Sequence, residues 1–322
     1  MNVVLLSNGY RKGDDRTRVD FIKKLQKVAN LHIYGPKEYE LDPVLAPIDY
    51  SEKITYFDVI KEFQADVFII MLHSPDAMNF DMQRIDVVGV PFVVVEEDHY
   101  TDKTEMGVKV LDWYKTARFA LILRRHCYKP EEQLSNSVWF PFSANEEEFF
   151  EDPSIEKQNI IGFAGSWEGN EYYDIRKKAI AVLLHYKLID ETSGRHYGKG
   201  VYVNFLRSHV GCLSCSGGIL HTCLAKTFEI PLCGAALLSN KIDHSDLLFD
   251  GKECYFEYKD NCRDLIEKVK IILHEPEYVK EVVKNAQEQI RLKHTDSKRI
   301  VELYNILDAM LNGKELPRIW GQ

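Results

Sequence analysis

The stretch "LAKTFEIPLCGAALLSN", Leu224–Asn240, sets a lone Glu229 between Phe228 and Ile230, then supplies Pro231, Cys233 and Gly234 before an apolar run. Its first half reads as the end of a helix, "HTCLAKTFEI", with Pro231 and the Gly234 turn as the stop. Its second half, "AALLS", is a continuous apolar strand of the kind buried on both faces of a parallel sheet. Helix, glycine turn and buried strand together make half of an α/β unit. A carboxylate in such company is costly if buried alone, so Glu229 needs a partner, either another residue or a ligand.

The same alternation continues on both sides. Upstream, "NIIGFAGSWEGN" is a strand ending in a glycine-rich turn, followed by the helix "EYYDIRKKAIAVLLHY" and the strand-like "VGCLSCSG". Downstream, "ECYFEY" leads to the helix "CRDLIEKVKIILHE", and 276–312 read as almost wholly helical. The first half of the chain repeats the pattern. "NVVLLS" precedes a helix with Val19, Ile22, Leu25 and Val28 at helical spacing, and "NLHIYG" resumes as a strand. "DVFIIML", "VPFVVVEED" and "RFALILR" are further apolar strands, each behind an amphipathic segment. Such alternation predicts doubly wound parallel sheets, whose ligands bind beyond the carboxyl ends of the strands. The segment "NSVWFPFSANEEEFFEDPSIEKQN" breaks the rhythm with prolines and acids. The expected division is therefore a Rossmann-like domain over 1–141, a linker over 142–158, a second Rossmann-like domain over 159–296, and a C-terminal helix and tail over 297–322.

At 322 residues the chain is long enough for two cores, and 45% hydrophobic with 28% charged residues is a globular composition. A formal charge of −9 argues against wrapping nucleic acid over a broad surface. Seven scattered cysteines, a short apolar N-terminus and no membrane-length apolar run point to a cytoplasmic protein without a membrane span.

Several groups carry chemical potential. Gly162, Gly165 and Ser166 end a strand just before a helix, where backbone N–H groups can approach a phosphate; a plain tight turn is the alternative. Glu229 suits a ribose, whose two hydroxyls one carboxylate can accept, or else pairs with Lys226 one turn earlier. Cys212, Cys215, His221 and Cys223 offer a C-x2-C with a nearby His, readable as a zinc site or as small buried thiols. Past strand ends in the first half stand His73, Asp76, Glu96, Glu97, Asp98 and His99, candidate general bases or solvated loop groups. The loop after the first strand holds Asn8, Gly9, Arg11, Lys12, Arg16 and Arg18, available to an acceptor or a phosphate. No Asp-x-Asp offers a divalent-metal diphosphate site.

Taken in order, "GFAGSW", "YVNFLRSHVGCLSCSGG", "KTFEIPLCGAALLSN", "GKECYFEYKDNCRDLIEKVKIILHEPE" and "KHTDSKRIVELY" resemble the CgeB-type (spore-maturation-like) and group 1 glycosyltransferases over most of 159–307. "WFPFSANEEEF" resembles their interdomain segment. The resemblance implies the GT-B architecture: two Rossmann-like domains facing across a cleft, the donor nucleotide held by the second, and a C-terminal helix crossing back to the first. It implies a glycosyltransferase using a nucleotide-diphosphate sugar, a UDP-sugar by preference, with no metal or other cofactor. Glu229 falls at the second Glu of Glu-x7-Glu, on the donor ribose; Gly165 and Ser166 at the turn near the diphosphate; Lys226 at the basic residue before "FE". His221 stands where group 1 enzymes carry the first Glu, a departure that leaves inverting and retaining outcomes both open. An inverting route would draw its base from His73, Asp98 or His99. The acceptor is expected to be a glycan, a protein, a small molecule or a modified DNA base. A non-catalytic GT-B binding or assembly protein and a phage-type DNA-base glycosyltransferase are the rival expectations.

Overall fold

A computed structural model of the chain describes residues 1–7, 17–36, 48–50, 60, 63–71, 89–96, 105–125, 134–166, 173–193, 199–215 and 221–316. The chain divides into two compact units, Met1–Pro141 together with Ile300–Gln322, and Phe142–Arg299.

The first unit is built on β1 (Asn2–Ser7), β2 (Asn30–Pro36), β3 (Ile48–Tyr50), β4 (Val67–Met71), β5 (Phe92–Val95), β6 (Leu121–Arg124) and β7 (Ser137–Trp139). All pairings are parallel, in the order β3-β2-β1-β4-β5-β6-β7. β4, β5 and β6 are buried along their whole length, as expected for apolar runs covered on both faces. On one face Ile22 and Leu25 of α1 (Thr17–Leu25) pack with Val3, Leu5, Ile69 and Val93. Val110 and Tyr114 of α2 (Glu105–Thr116) join Val4, Phe68 and Phe92 in a second cluster. Two expectations are corrected here. Val28 lies beyond the end of α1 and is 41% exposed, because the chain turns out of the helix before reaching it. Residues 137–139, read as an interruption, extend the sheet as β7, since Ser137–Trp139 finds β6 as a ladder partner despite Pro141 two residues on.

The second unit carries β8 (Gln158–Gly165), β9 (Ile189–Ser193), β10 (His209–Leu213), β11 (Ala236–Asn240) and β12 (Phe256–Tyr258). The sheet is parallel in the order β12-β11-β10-β8-β9. Counted within the unit, this is the 2-1-3-4-5 doubly wound order, and its switch point lies between β8 and β10. Its helices are α3 (Asp174–His185), α4 (Lys199–Arg207), α5 (Lys226–Leu232), α6 (Ser245–Phe249), α7 (Leu265–His274), α8 (Pro276–Lys293) and α9 (Asp296–Leu311). From Ile300 onward α9 is counted with the first unit, where Ile300, Leu303, Ile306 and Leu307 enter the core at helical spacing. Neither β9 nor α4 was anticipated from the sequence.

Pro231 does not stop α5, contrary to expectation; it sits inside the helix. Its missing N–H costs one bond near the end of a seven-residue helix. The stop is made by Gly234 at φ +75°, with Gly234 N–H donating to the Pro231 carbonyl at 2.9 Å and Ala235 N–H to the Ile230 carbonyl at 3.3 Å, a Schellman closure.

Segment 142–158 packs within the second unit. Arg207 of α4 donates to the carbonyls of Glu148 and Phe150, each at 2.8 Å, and stacks 4.0 Å from the Phe150 ring. The "KHTDSKR" segment is held in the same unit. His294 is fully buried, its ring stacked 4.4 Å from that of Phe228, with Nε2 at 2.8 Å from the Leu248 carbonyl and Nδ1 at 3.2 Å from the Arg299 guanidinium. Arginine only donates, so Nδ1 accepts and Nε2 carries the proton. Burial first, and the Arg299 charge second, hold this imidazole well below its ordinary range, and it stays neutral.

Candidate donor site at the β8/β10 switch point

Open α/β sheets bind ligands where the strand order reverses, beyond the carboxyl ends of the strands. In the second unit that place is bounded by Gly165 at the end of β8 and Ser166 after it, and by Ser214 and Cys215 after β10. Arg176, in the first turn of α3, joins the two ends. It donates to the Ser166 carbonyl at 2.6 Å and to the Cys215 carbonyl at 2.6 and 3.2 Å, with its guanidinium 4.2 Å from the Tyr173 ring. A cation in the first turn of a helix opposes the helix dipole, so the tertiary contacts must hold it there.

Lys226 opens α5 and directs its ammonium to the Ala164 carbonyl at the end of β8. The ammonium lies 5.7 Å from the Phe163 ring centroid and 6.0 Å from that of Tyr202. Gly165 makes room for it: a Cβ there would stand 2.7 Å from Lys226 Nζ. Burial, and after it the positive charge of Arg176, push the Lys226 ammonium down to about 8, while Glu229 works the other way. Two cations thus lie close together at a half-buried place, with the Glu229 carboxylate as counter-charge.

Glu229 stands three residues after Lys226 on α5 and is only 6% exposed. Its Oε2 accepts a hydrogen bond from the Tyr202 hydroxyl of α4 at 2.7 Å. Burial and the Glu229 charge raise the Tyr202 phenol well above its ordinary range, so it remains a donor. Lys226, one turn earlier, bonds the Ala164 carbonyl and at the same time feels the Glu229 charge, which holds its ammonium up against burial.

His221 lies farther along the same edge of the sheet. Its Nε2 is 2.7 Å from Asp260 Oδ2, and Asn240, at the end of β11, donates to Asp260 Oδ1 at 3.2 Å. Cys212, Cys215 and Cys223 are buried thiols; burial pushes Cys212 and Cys223 up to about 12. Among the described residues no three His, Cys, Asp or Glu are gathered as metal ligands would be, and His221 faces Asp260.

In the first unit Glu96 is not a poised base. It is fully buried and ion-paired with Arg124 at 3.1 Å, with further bonds from Arg124 Nε. His73, Asp76, Glu97, Asp98 and His99, and Asn8, Gly9, Arg11, Lys12 and Arg16, lie outside the described residues. Sequence reasoning missed Arg176, Tyr202, Asp260 and Asn240. Only Arg176 left a local trace, a cation where the helix dipole disfavours one.

Residues 164–305 match a family model described as "Glycosyl transferase-like". No curated protein matches the sequence. A glycosyltransferase from Rickettsia africae has the same fold, with a TM-score of 0.66 at 9% identity, covering 97% of this chain and 99% of that one. Anabaena HepE, solved with UDP, aligns with a TM-score of 0.69 at 9% identity over 96% of this chain and all (100%) of that one. An alpha-glucosyltransferase solved with UDP and a 13-mer DNA aligns with a TM-score of 0.62 at 12% identity, over 96% and 100%. No helix among the described residues is long and apolar enough to cross a membrane. The chain thus has the GT-B fold, with two parallel-sheet α/β domains, and over 164–305 it is similar to the glycosyl transferase-like family.

Proposed function

We propose that the protein is a CgeB-type glycosyltransferase that takes a sugar from a UDP-sugar, without a metal, and that its second unit holds the donor. One observation carries the reading: Lys226, Arg176 and the buried Glu229 are gathered at the β8/β10 switch point. Glu229 accepts the ribose hydroxyls. The Lys226 ammonium takes the diphosphate, beside the turn at Gly165 and Ser166. As the sugar–oxygen bond breaks, negative charge grows on the departing diphosphate. A fixed ammonium in a half-buried site stabilises that charge without reorganising. Arg176 adds its charge from behind the two loop ends it secures. His221, paired with Asp260 on the same edge, is assigned to the donor sugar. The UDP carried by HepE and by the alpha-glucosyltransferase supports the choice of nucleotide.

Calorimetric titration of UDP and GDP, without added metal, into wild type and Glu229→Ala tests this. UDP is expected to bind at micromolar strength, and the variant to lose about 1.5–3 kcal/mol, the range for a hydrogen bond to a charged group. If neither nucleotide binds wild type, the donor site is misplaced, and a non-catalytic GT-B protein becomes the better account.

A further inference from the structure

The Glu229 carboxylate sits on a side chain with three rotatable bonds, and α5 alone does not decide where its oxygens point. One contact that fixes them comes from another element. Tyr202 lies on α4, a helix anchored at its far end by Arg207 to the carbonyls of Glu148 and Phe150. Its ring meets Phe149 edge-on at 6.1 Å between centroids. From that fixed ring the hydroxyl reaches Glu229 Oε2 at 2.7 Å, while the Lys226 ammonium lies 6.0 Å from the ring centroid. One side chain therefore bonds Glu229 and lies near Lys226, the two groups assigned to the donor.

We propose that Tyr202 is a positioning residue for nucleotide binding: it orients Glu229 for the ribose, and it thereby sets the preference for a ribonucleotide over a deoxyribonucleotide. The inference rests on the reading of Glu229 as the ribose acceptor. A carboxylate offers about four lone-pair sites, and the phenol bond uses one of them. Fixing the carboxylate beforehand removes the ordering cost from the binding step. The elevated titration of the phenol fits, since a donor that never ionises in the neutral range holds the carboxylate at every working pH. The bland alternative is that Tyr202 only satisfies a buried acid and contributes to stability.

The two are separated by titrating UDP and 2′-deoxy-UDP into the full chain as wild type, Tyr202→Phe and Glu229→Gln, with melting temperatures recorded for each. Wild type is expected to prefer UDP. Tyr202→Phe is expected to bind UDP about five- to tenfold more weakly while its affinity for 2′-deoxy-UDP hardly changes, so the ratio between them collapses. Glu229→Gln should lose the ratio as well. Equal weakening of both nucleotides in Tyr202→Phe, or a ratio identical to wild type, overturns the proposal while Glu229 keeps its role. An unchanged ratio in Glu229→Gln overturns the ribose reading itself, and the role of Tyr202 with it.

Discussion

Nucleotide affinity should fall as pH rises from 7 to 9, and Lys226 should be the cause. In the unliganded protein its ammonium is pushed down to about 8, by burial first and by Arg176 second, against the opposing pull of Glu229. The Cys212 thiol of β10, also among its neighbours, is pushed up by burial to about 12 and stays neutral across this window. A bound diphosphate restores a counter-charge and returns the ammonium toward its ordinary value. Between pH 8 and the bound value, binding then takes up a proton, and affinity drops by up to about tenfold per pH unit, so roughly tenfold between pH 7 and 9. Without ligand the sign is reversed for stability. The folded chain holds fewer protons than the unfolded one from pH 8 upward, so stability rises with pH through that window until the unfolded lysine also titrates. The assay is calorimetry with UDP at pH 7, 8 and 9, repeated at pH 8 in two buffers of different ionisation enthalpy to count protons. Lys226→Gln should bind about 10- to 100-fold more weakly at pH 7 and lose most of the pH dependence. Lys226→Arg should bind with a flat profile, because a guanidinium does not deprotonate in this range. A wild-type affinity that is level from pH 7 to 9 would refute the reasoning. So would the same fall in Lys226→Arg, which would place the titration on the nucleotide.

Three further outcomes follow from the packing. His294 is buried neutral, so acidification below its unfolded value of about 6.5 costs stability as the unfolded chain takes up the proton; in urea titrations at pH 7 and 5, His294→Gln should show a smaller pH 7-to-5 drop than wild type. Arg124→Met removes an ion pair from the buried Glu96 carboxylate and should destabilise the first unit by up to about 3–5 kcal/mol, whereas Glu96→Gln with Arg124→Met should recover part of that loss in chemical denaturation. Gly234→Ala forces a Cβ to within 2.5 Å of the Glu151 carboxyl at a φ of +75°, and should lower the melting temperature with little effect on UDP affinity once folded.

The architecture was legible in the chain because it rests on local periodicity. "NVVLLS", "DVFIIML", "VPFVVV" and "AALLS" are apolar on both strand faces, and only a sheet covered on both sides suits such runs. The glycine-rich turn after β8 and the isolated acid in α5 were equally visible, as short departures from an apolar background. Elements whose formation depends on a neighbour were not. β7 is three residues completed by β6, and β9 is an edge strand completed by β8. α5 carries a proline through its last turn because Gly234 closes it.

The site divides along the same line. Sequence alone put Lys226 and Glu229 three residues apart on one helix, and Gly165 at the end of a strand. Tertiary structure decided that Lys226 turns to the Ala164 carbonyl beside Gly165, sixty-odd residues earlier in the chain, and that Glu229 meets a phenol from α4. It also decided that Arg176 spans Ser166 and Cys215, and that Asp260 holds His221. Composition and spacing report what a segment does by itself. A hydrogen bond between residues 27 or 39 positions apart depends on the order in which strands pair, and that order is a property of the folded sheet.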